Sequence, residues 1–123
     1  MKRALVIEDN ENNMELITFI LEANGYQTLR AATGQRGIDL ALQERPDFII
    51  LDIQLPDIMG TEVLKRIRKS EVGHRIPIIA MTSYAMAGDR EKLLGAGCDG
   101  YIEKPIDPAI VMTQIQKVIE ASR

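Results

Sequence analysis

The chain has 123 residues, enough to bury the core of one domain but not of two. Apolar residues at 46% and charged residues at 27% exclude a disordered chain. A net charge of -3, a pI of about 5.2 and the lack of a dense Lys/Arg tract argue against nucleic acid as a direct partner.

Residues 4–7 form a short apolar run, the first strand, which stops at Glu8 and Asp9. No charged-then-apolar leader precedes it, which points to a cytoplasmic setting. Residues 14–23 follow with helical spacing, ended by Asn24-Gly25, where glycine can take a left-handed conformation. A second strand is expected near residues 26–31. Residues 48–51 make the third strand, which stops at Asp52, and residues 63–67 continue as a helix, with Gly60 allowing a tight turn before it. Residues 78–81 form the fourth strand, ending in Thr82. Leu93 and Leu94 belong to the helix after it, for which Asp89 is a candidate cap.

Tyr101 and Ile102 begin a last short strand that leads through Glu103 to Lys104. Asp107-Pro108 reads as the start of the last helix, with Asp107 as cap and Pro108 at the first helical position. Within residues 110–119, Val111, Ile115, Val118 and Ile119 share one helical face, and Lys117 and Glu120 point away. About five strand-helix units in alternation predict an α/β fold, a doubly wound parallel sheet with helices on both faces.

The chemistry is expected where polar residues end the strands: Glu8 and Asp9, then Asp52, Thr82 and Lys104. In a parallel sheet these ends share one edge, the edge where open α/β folds bind ligands. One polar residue at a strand end is ordinary; a matched set on four strands is not. Three carboxylates beside one lysine leave roughly two negative charges uncompensated, a gap that a divalent cation fills. With only oxygen ligands on offer, Mg²⁺ is favoured over zinc or copper. Asp52, on the strand expected at the centre, is the candidate nucleophile for a phosphoryl group. Lys104 would neutralise charge and Thr82 donate a hydrogen bond.

Four segments carry a family resemblance: VIEDNENN, ILDIQLPDIMG, IPIIAMTSYAMAGDREK and GCDGYIEKPI. Together they resemble the receiver domain of two-component response regulators, over essentially the whole chain. Asp9, Asn10 and Asn13, with SYAM after Thr82, are similar to stand-alone receivers of the DivK type and to receivers attached to hybrid kinases.

The resemblance implies a flavodoxin-like strand order 2-1-3-4-5 and a single receiver domain over residues 1–123 with no output domain. It implies a phosphorelay switch rather than an enzyme, one that assists its own phosphorylation and dephosphorylation. Asp52 would be phosphorylated from a phosphohistidine. Asp9, Asp52 and the Gln54 backbone carbonyl would bind Mg²⁺, with Glu8 helping through water, and Lys104 would pair with the phosphoryl group. Thr82 would move toward the phosphorylated Asp52 and Tyr101 would turn inward with it, remodelling the face made by the fourth helix, last strand and last helix. Lys104-Pro105 would be cis. Gln54 and Tyr84 would flank the pocket and influence water access.

Implied partners are a histidine kinase or phosphotransfer protein and a downstream protein target, without nucleic acid or membrane. A monomer is the default, with a phosphorylation-dependent dimer through the last-helix face as its variant.

Other residues read more plainly. Cys98 is a small packed residue, and His74 lies in an exposed loop. Glu11, Glu15 and Asp57 are solvated or capping groups, Asp57 alone being near the pocket. Met14, Met59, Met81, Met86 and Met112 fill the core or helix faces. The Gly-rich residues 88–100 hold few large apolar anchors and should be locally less stable. Two rivals keep the sheet but change the chemistry. An aspartyl-nucleophile phosphatase or phosphotransferase would want a second Asp where Gln54 stands. A flavodoxin-like binding module would want a phosphate loop where Glu8, Asp9 and Glu11 would repel phosphate. A passive interaction module is argued against by the intact acidic, threonine and lysine positions.

Overall fold

A computed structural model describes residues 2–83 and 87–122, the side chains of 87–89 excepted. Tyr84 and Met86 lie outside the described residues. The elements are β1 (Arg3–Ile7), α1 (Glu11–Ala23), β2 (Gln27–Ala31), α2 (Gly34–Glu44) and β3 (Phe48–Asp52). They continue with α3 (Gly60–Lys69), β4 (Ile78–Thr82), α4 (Ala87–Gly95), β5 (Gly100–Glu103) and α5 (Val111–Ala121).

All strand pairs are parallel, in the order β2-β1-β3-β4-β5. Strand side chains alternate between two apolar layers, as the pleat requires. Leu5, Ile7, Ile49, Leu51, Ile78 and Ala80 pack with residues of α2, α3 and α4. Ala4, Val6, Phe48, Ile50, Ile79 and Met81 pack with α1 and α5. Every residue of β3 and β4 is buried, because both faces of the central strands are covered.

Helix starts follow capping chemistry more than the first apolar residue. α1 begins at Glu11 because Asn10 Oδ1 accepts from the Asn13 N–H at 3.0 Å, upstream of the apolar stripe. It ends at Asn24 and Gly25, where Gly25 has φ 89°. α5 starts later than Asp107-Pro108 suggests. Asp107 Oδ1 accepts from the Ala109 N–H at 2.9 Å, and its carbonyl accepts from Ile110 and Val111 at 3.1 and 3.0 Å. Asp107 thus caps a turn over residues 108–110, and Ile110, at φ -122° and ψ -12°, separates that turn from the helix proper. Asp89 lies inside α4 rather than ahead of it.

Two further expectations need correction. Gly60 serves a close approach rather than a special turn conformation. A Cβ there would lie 2.5 Å from Ile53 Cα and 2.9 Å from the Asp52 carbonyl oxygen, so glycine lets α3 start against the end of β3. Met59 does not fill the core: it is 68% exposed, whereas Met14 and Met81 are buried and Met112 partly so. Asp57 is an exposed capping group, as expected: its carboxylate accepts from Gly34 N–H at 2.8 Å and Gln35 N–H at 3.0 Å at the start of α2. Those bonds, the Gln35 one foremost, hold its pKa below the usual carboxylate value. Cys98 is buried as expected, and burial pushes its thiol up to about 11. His74 is exposed.

Candidate functional site

The parallel sheet brings four strand ends together. Asp52 closes the central strand, 3% exposed, and the following Ile53 N–H donates to the Met81 carbonyl at 3.1 Å. Thr82, also buried, ends β4 next to Asp52's register partner Met81. Its carbonyl accepts from the Lys104 N–H at 2.9 Å, which fixes where the chain leaves β5. Glu8 follows β1, its N–H donating to the Ala31 carbonyl at 2.9 Å.

Lys104 enters this edge side-chain first. Its Nζ lies 2.9 Å from Glu8 Oε1 and 3.1 Å from Asp52 Oδ2, so one ammonium bridges two buried carboxylates. Asp52 Oδ1 also accepts from the Gln54 N–H at 3.0 Å, and Glu8 Oε2 from the Asn10 N–H at 3.3 Å. The Lys104-Pro105 bond is cis. Asp9 is exposed beside this pair, and Glu8, Asp9 and Asp52 each bring one carboxylate oxygen within 4.8 Å of the others.

Charge balance at the site is incomplete. Burial pushes Glu8 up to about 7, with a hydrogen bond to the Asp52 carboxyl acting the same way and Lys104 opposing it. Lys104 is raised: burial works against its charge, but the Glu8 and Asp52 carboxylates outweigh it. Glu8 Oε1 is buried and, among the described residues, makes no hydrogen bond of good geometry, its contact with Lys104 being an ion pair at 2.9 Å. Crowded carboxylates, an underused buried oxygen and an all-oxygen donor set fit a hard divalent cation such as Mg²⁺. Asp9, Asp52 and Glu8 are the side chains that could hold it.

The remaining candidates sit around the rim. The Gln54 side chain is exposed. Tyr101 is half-buried on β5, with the Arg90 guanidinium 5.1 Å from its ring centre. Arg90, Tyr101, Glu103, Pro105, Ile110 and Gln114 line a groove between α4 and α5. Sequence reading missed Arg90, since nothing in the chain marks a helix cation and a strand aromatic eleven positions apart as neighbours.

Comparison with known proteins agrees with this geometry. Residues 4–116 match the response regulator receiver domain. The chain is 46% identical over 105 residues, 85% of each chain, to the polar-differentiation response regulator DivK of Brucella anthropi, and equally to that of Brucella suis. The receiver domain of sensor histidine kinase PA1611 from Pseudomonas aeruginosa PAO1, solved with a magnesium ion coordinated in its active site cleft, is 36% identical. It superposes with a TM-score of 0.88 over 97% of this chain and 98% of that one. Chemotaxis response regulator CheY4 of Vibrio cholerae is 25% identical, with a TM-score of 0.92 over 96% and 98%. The chain belongs to the response regulator receiver domain family, whose members are phosphoacceptor switches in two-component signalling rather than turnover enzymes.

Proposed function

We propose that this protein is a DivK-like receiver in a phosphorelay and that Asp52 is its phosphoacceptor. The observation that carries this reading is the Lys104 ammonium held between Asp52 and Glu8 at 3.1 and 2.9 Å. A carboxylate oxygen of Asp52 attacks the phosphorus of a phosphohistidine on a histidine kinase or phosphotransfer protein. The P–N bond breaks as the P–O bond forms, and the imidazole leaves. Lys104 turns from the carboxylate pair to the phosphoryl oxygens, and the Thr82 hydroxyl donates to one of them. Asp9, Asp52 and the Gln54 carbonyl would hold Mg²⁺, with Glu8 assisting through water, and the bound ion would supply neutralisation of phosphoryl charge. The Gln54 side chain influences water access to the phosphoaspartate, and Tyr84 shares that role.

Phosphorylation adds up to about two negative charges beside Thr82. Thr82 moves toward them and Tyr101 turns inward, so that the groove between α4 and α5 presents a different surface to a protein target. α4 is suited to such a change: Leu93 is buried while Leu94 is 42% exposed, so its described side chains anchor it through a single large apolar residue. The protein acts as a monomeric receiver domain in the cytoplasm, with dimerisation through the last-helix face as the phosphorylated variant. No helix among the described residues is long and apolar enough to cross a membrane.

Incubation with Mg²⁺ and a small acyl-phosphate donor, followed by intact mass measurement, tests the assignment. One added phosphoryl group is expected on the wild type, and none on Asp52→Asn or after chelation of the metal. An unmodified wild type, or equal labelling of Asp52→Ala, would refute it. Steady hydrolysis of a phosphate ester that depends on Asp52 would favour the aspartyl phosphatase instead. Sedimentation with and without the donor decides the oligomeric state.

A further inference from the structure

A second surface, away from the groove beside Tyr101, lies along the seam between α3 and α4. At its upper end Ile53, Leu55, Met59 and Leu93 form an apolar trough with Thr82 at its inner end. Its lower end runs between Lys65 and Lys92 over Gly95 and Ala96. Thr61 and Lys92 line both parts, so the two are one continuous groove.

The charge along this groove is of one sign. Lys65 and Lys92 are exposed, and neither joins an ion pair among the described residues. No carboxylate lines either part among the described residues. Lys65 belongs to a basic stretch of α3, Lys65, Arg66, Arg68 and Lys69, which outweighs the single acid of that helix, Glu62, whereas Lys92 comes from α4, where the exposed Glu91 precedes it outside the groove lining. Arg66 is paired with Glu62 and Arg68 with Asp99, so Lys65 and Lys69 keep their full charge outward. The lining of the groove is thus positive, through Lys65 and Lys92, on a chain whose net charge is -3. Met59, at 68% exposure, leaves a flexible apolar side chain at the lip of the trough.

We propose that the α3–α4 groove is a docking site for an acidic peptide segment of a partner protein, an apolar side chain entering the trough and neighbouring carboxylates meeting Lys65 and Lys92. An aliphatic trough with no aromatic ring among its described lining residues suits a peptide side chain rather than stacked bases. Complementary charge would set which segments are accepted. Because Thr82 lines the trough, occupancy and the state of the Asp52 site are coupled through a shared residue. Docking itself does not require that Asp52 accept a phosphoryl group, so it stands or falls separately from that assignment.

The test is an amide NMR titration of the whole ¹⁵N-labelled protein with an acetylated peptide of sequence DELFDL. Saturable shifts centred on residues 53–65, Thr82 and residues 90–96 are expected, with a Kd of about 1 mM or tighter. The double variant Lys65→Glu, Lys92→Glu should bind more than tenfold more weakly. Both positions are exposed, and the dispersion of its amide spectrum reports that it is folded. A peptide of sequence KKLFKL should give no saturable shift. The proposal is overturned if DELFDL shifts nothing in these segments, if the double variant or the lysine peptide binds equally well, or if an oligothymidylate binds the groove more tightly than the acidic peptide.

Discussion

Arg68 and Lys104 are comparably shielded cations, their side chains 17% and 14% exposed, and each is paired with acid at opposite ends of the strands. Their surroundings differ in every other respect. Arg68 faces one carboxylate, Asp99, at 2.8 Å, and spends its remaining donors on the carbonyls of Gly97, Gly73 and Ile76 at 2.8, 2.9 and 2.6 Å. Asp99 in turn accepts from the Ile78 N–H at 2.8 Å, where β4 begins. Charge and hydrogen bonds are both balanced, and the planar guanidinium matches the ring of acceptors around it. Lys104 instead stands between two carboxylates with a third nearby, and among the described residues one buried oxygen, Glu8 Oε1, has no good hydrogen bond. A cluster that is finished holds loops together, whereas a cluster left short of positive charge is ready to receive some. Burial alone does not separate the two.

The largest expected effect comes from breaking the finished cluster. Arg68→Ala strands Asp99 and three loop carbonyls and should cost about 2–3 kcal/mol, less than a fully buried pair because some water reaches it. Arg68→Lys should recover less than half of that, since an ammonium cannot span the same acceptors. Urea unfolding of both variants checks this, and a fully stable lysine variant would mean that charge, not shape, is what the cluster contributes.

At the other end the sign should reverse. Without divalent cation, Glu8→Gln removes a charge that repels Asp52, so stability should be unchanged or higher by up to about 1 kcal/mol. Adding Mg²⁺ should then stabilise the wild type more than the variant, because a ligand that binds only the folded state raises its stability by mass action. Thermal midpoints with and without Mg²⁺ would show both effects. A variant that is less stable in the absence of metal would put the two clusters in the same class and remove the contrast.

How far the sequence disclosed these arrangements depends on what joins the residues. Glu8, Asp52, Thr82 and Lys104 were legible because each ends an apolar run, and a parallel sheet turns the ends of such runs into neighbours. The two-layer core was legible for the same reason, through the alternation of strand residues and the stripes of α1 and α5. Arg68 and Asp99 carried no such sign. Their contact depends on how the loops before β4 and β5 fold against the end of α3, and residues 65–69, with four cations in five positions, correct the expectation that the chain holds no dense Lys/Arg tract. Gly60 was visible as a glycine, but its reason, contact with the backbone of Ile53, exists only once α3 is packed. Met59 looks like any core methionine until the exposed loop that carries it is seen.

The smallest effect concerns a third arrangement, intermediate between the two clusters: Asp57, a single charge satisfied by backbone N–H groups. It ties the segment after Asp52 to the start of α2, where Thr33 Oγ1 already caps the helix by accepting from the Arg36 N–H at 3.2 Å. Its pKa lies below the ordinary 3.8, chiefly through the Gln35 bond, so the unfolded chain binds this proton more readily than the folded one. Its contribution to stability is therefore complete above the unfolded value and is lost as pH falls through the lower folded value. Asp57→Asn keeps one acceptor oxygen but loses the charge that the helix N-terminus favours. Urea midpoints should show the variant slightly less stable at neutral pH, with the gap closing as the pH drops below about 4. Because Asp57 is exposed, added salt should also narrow the gap, while the Arg68 effect should hardly respond. A gap that persisted at low pH and high salt would mean that the Asp57 side chain acts through shape at the α2 start rather than through its charge.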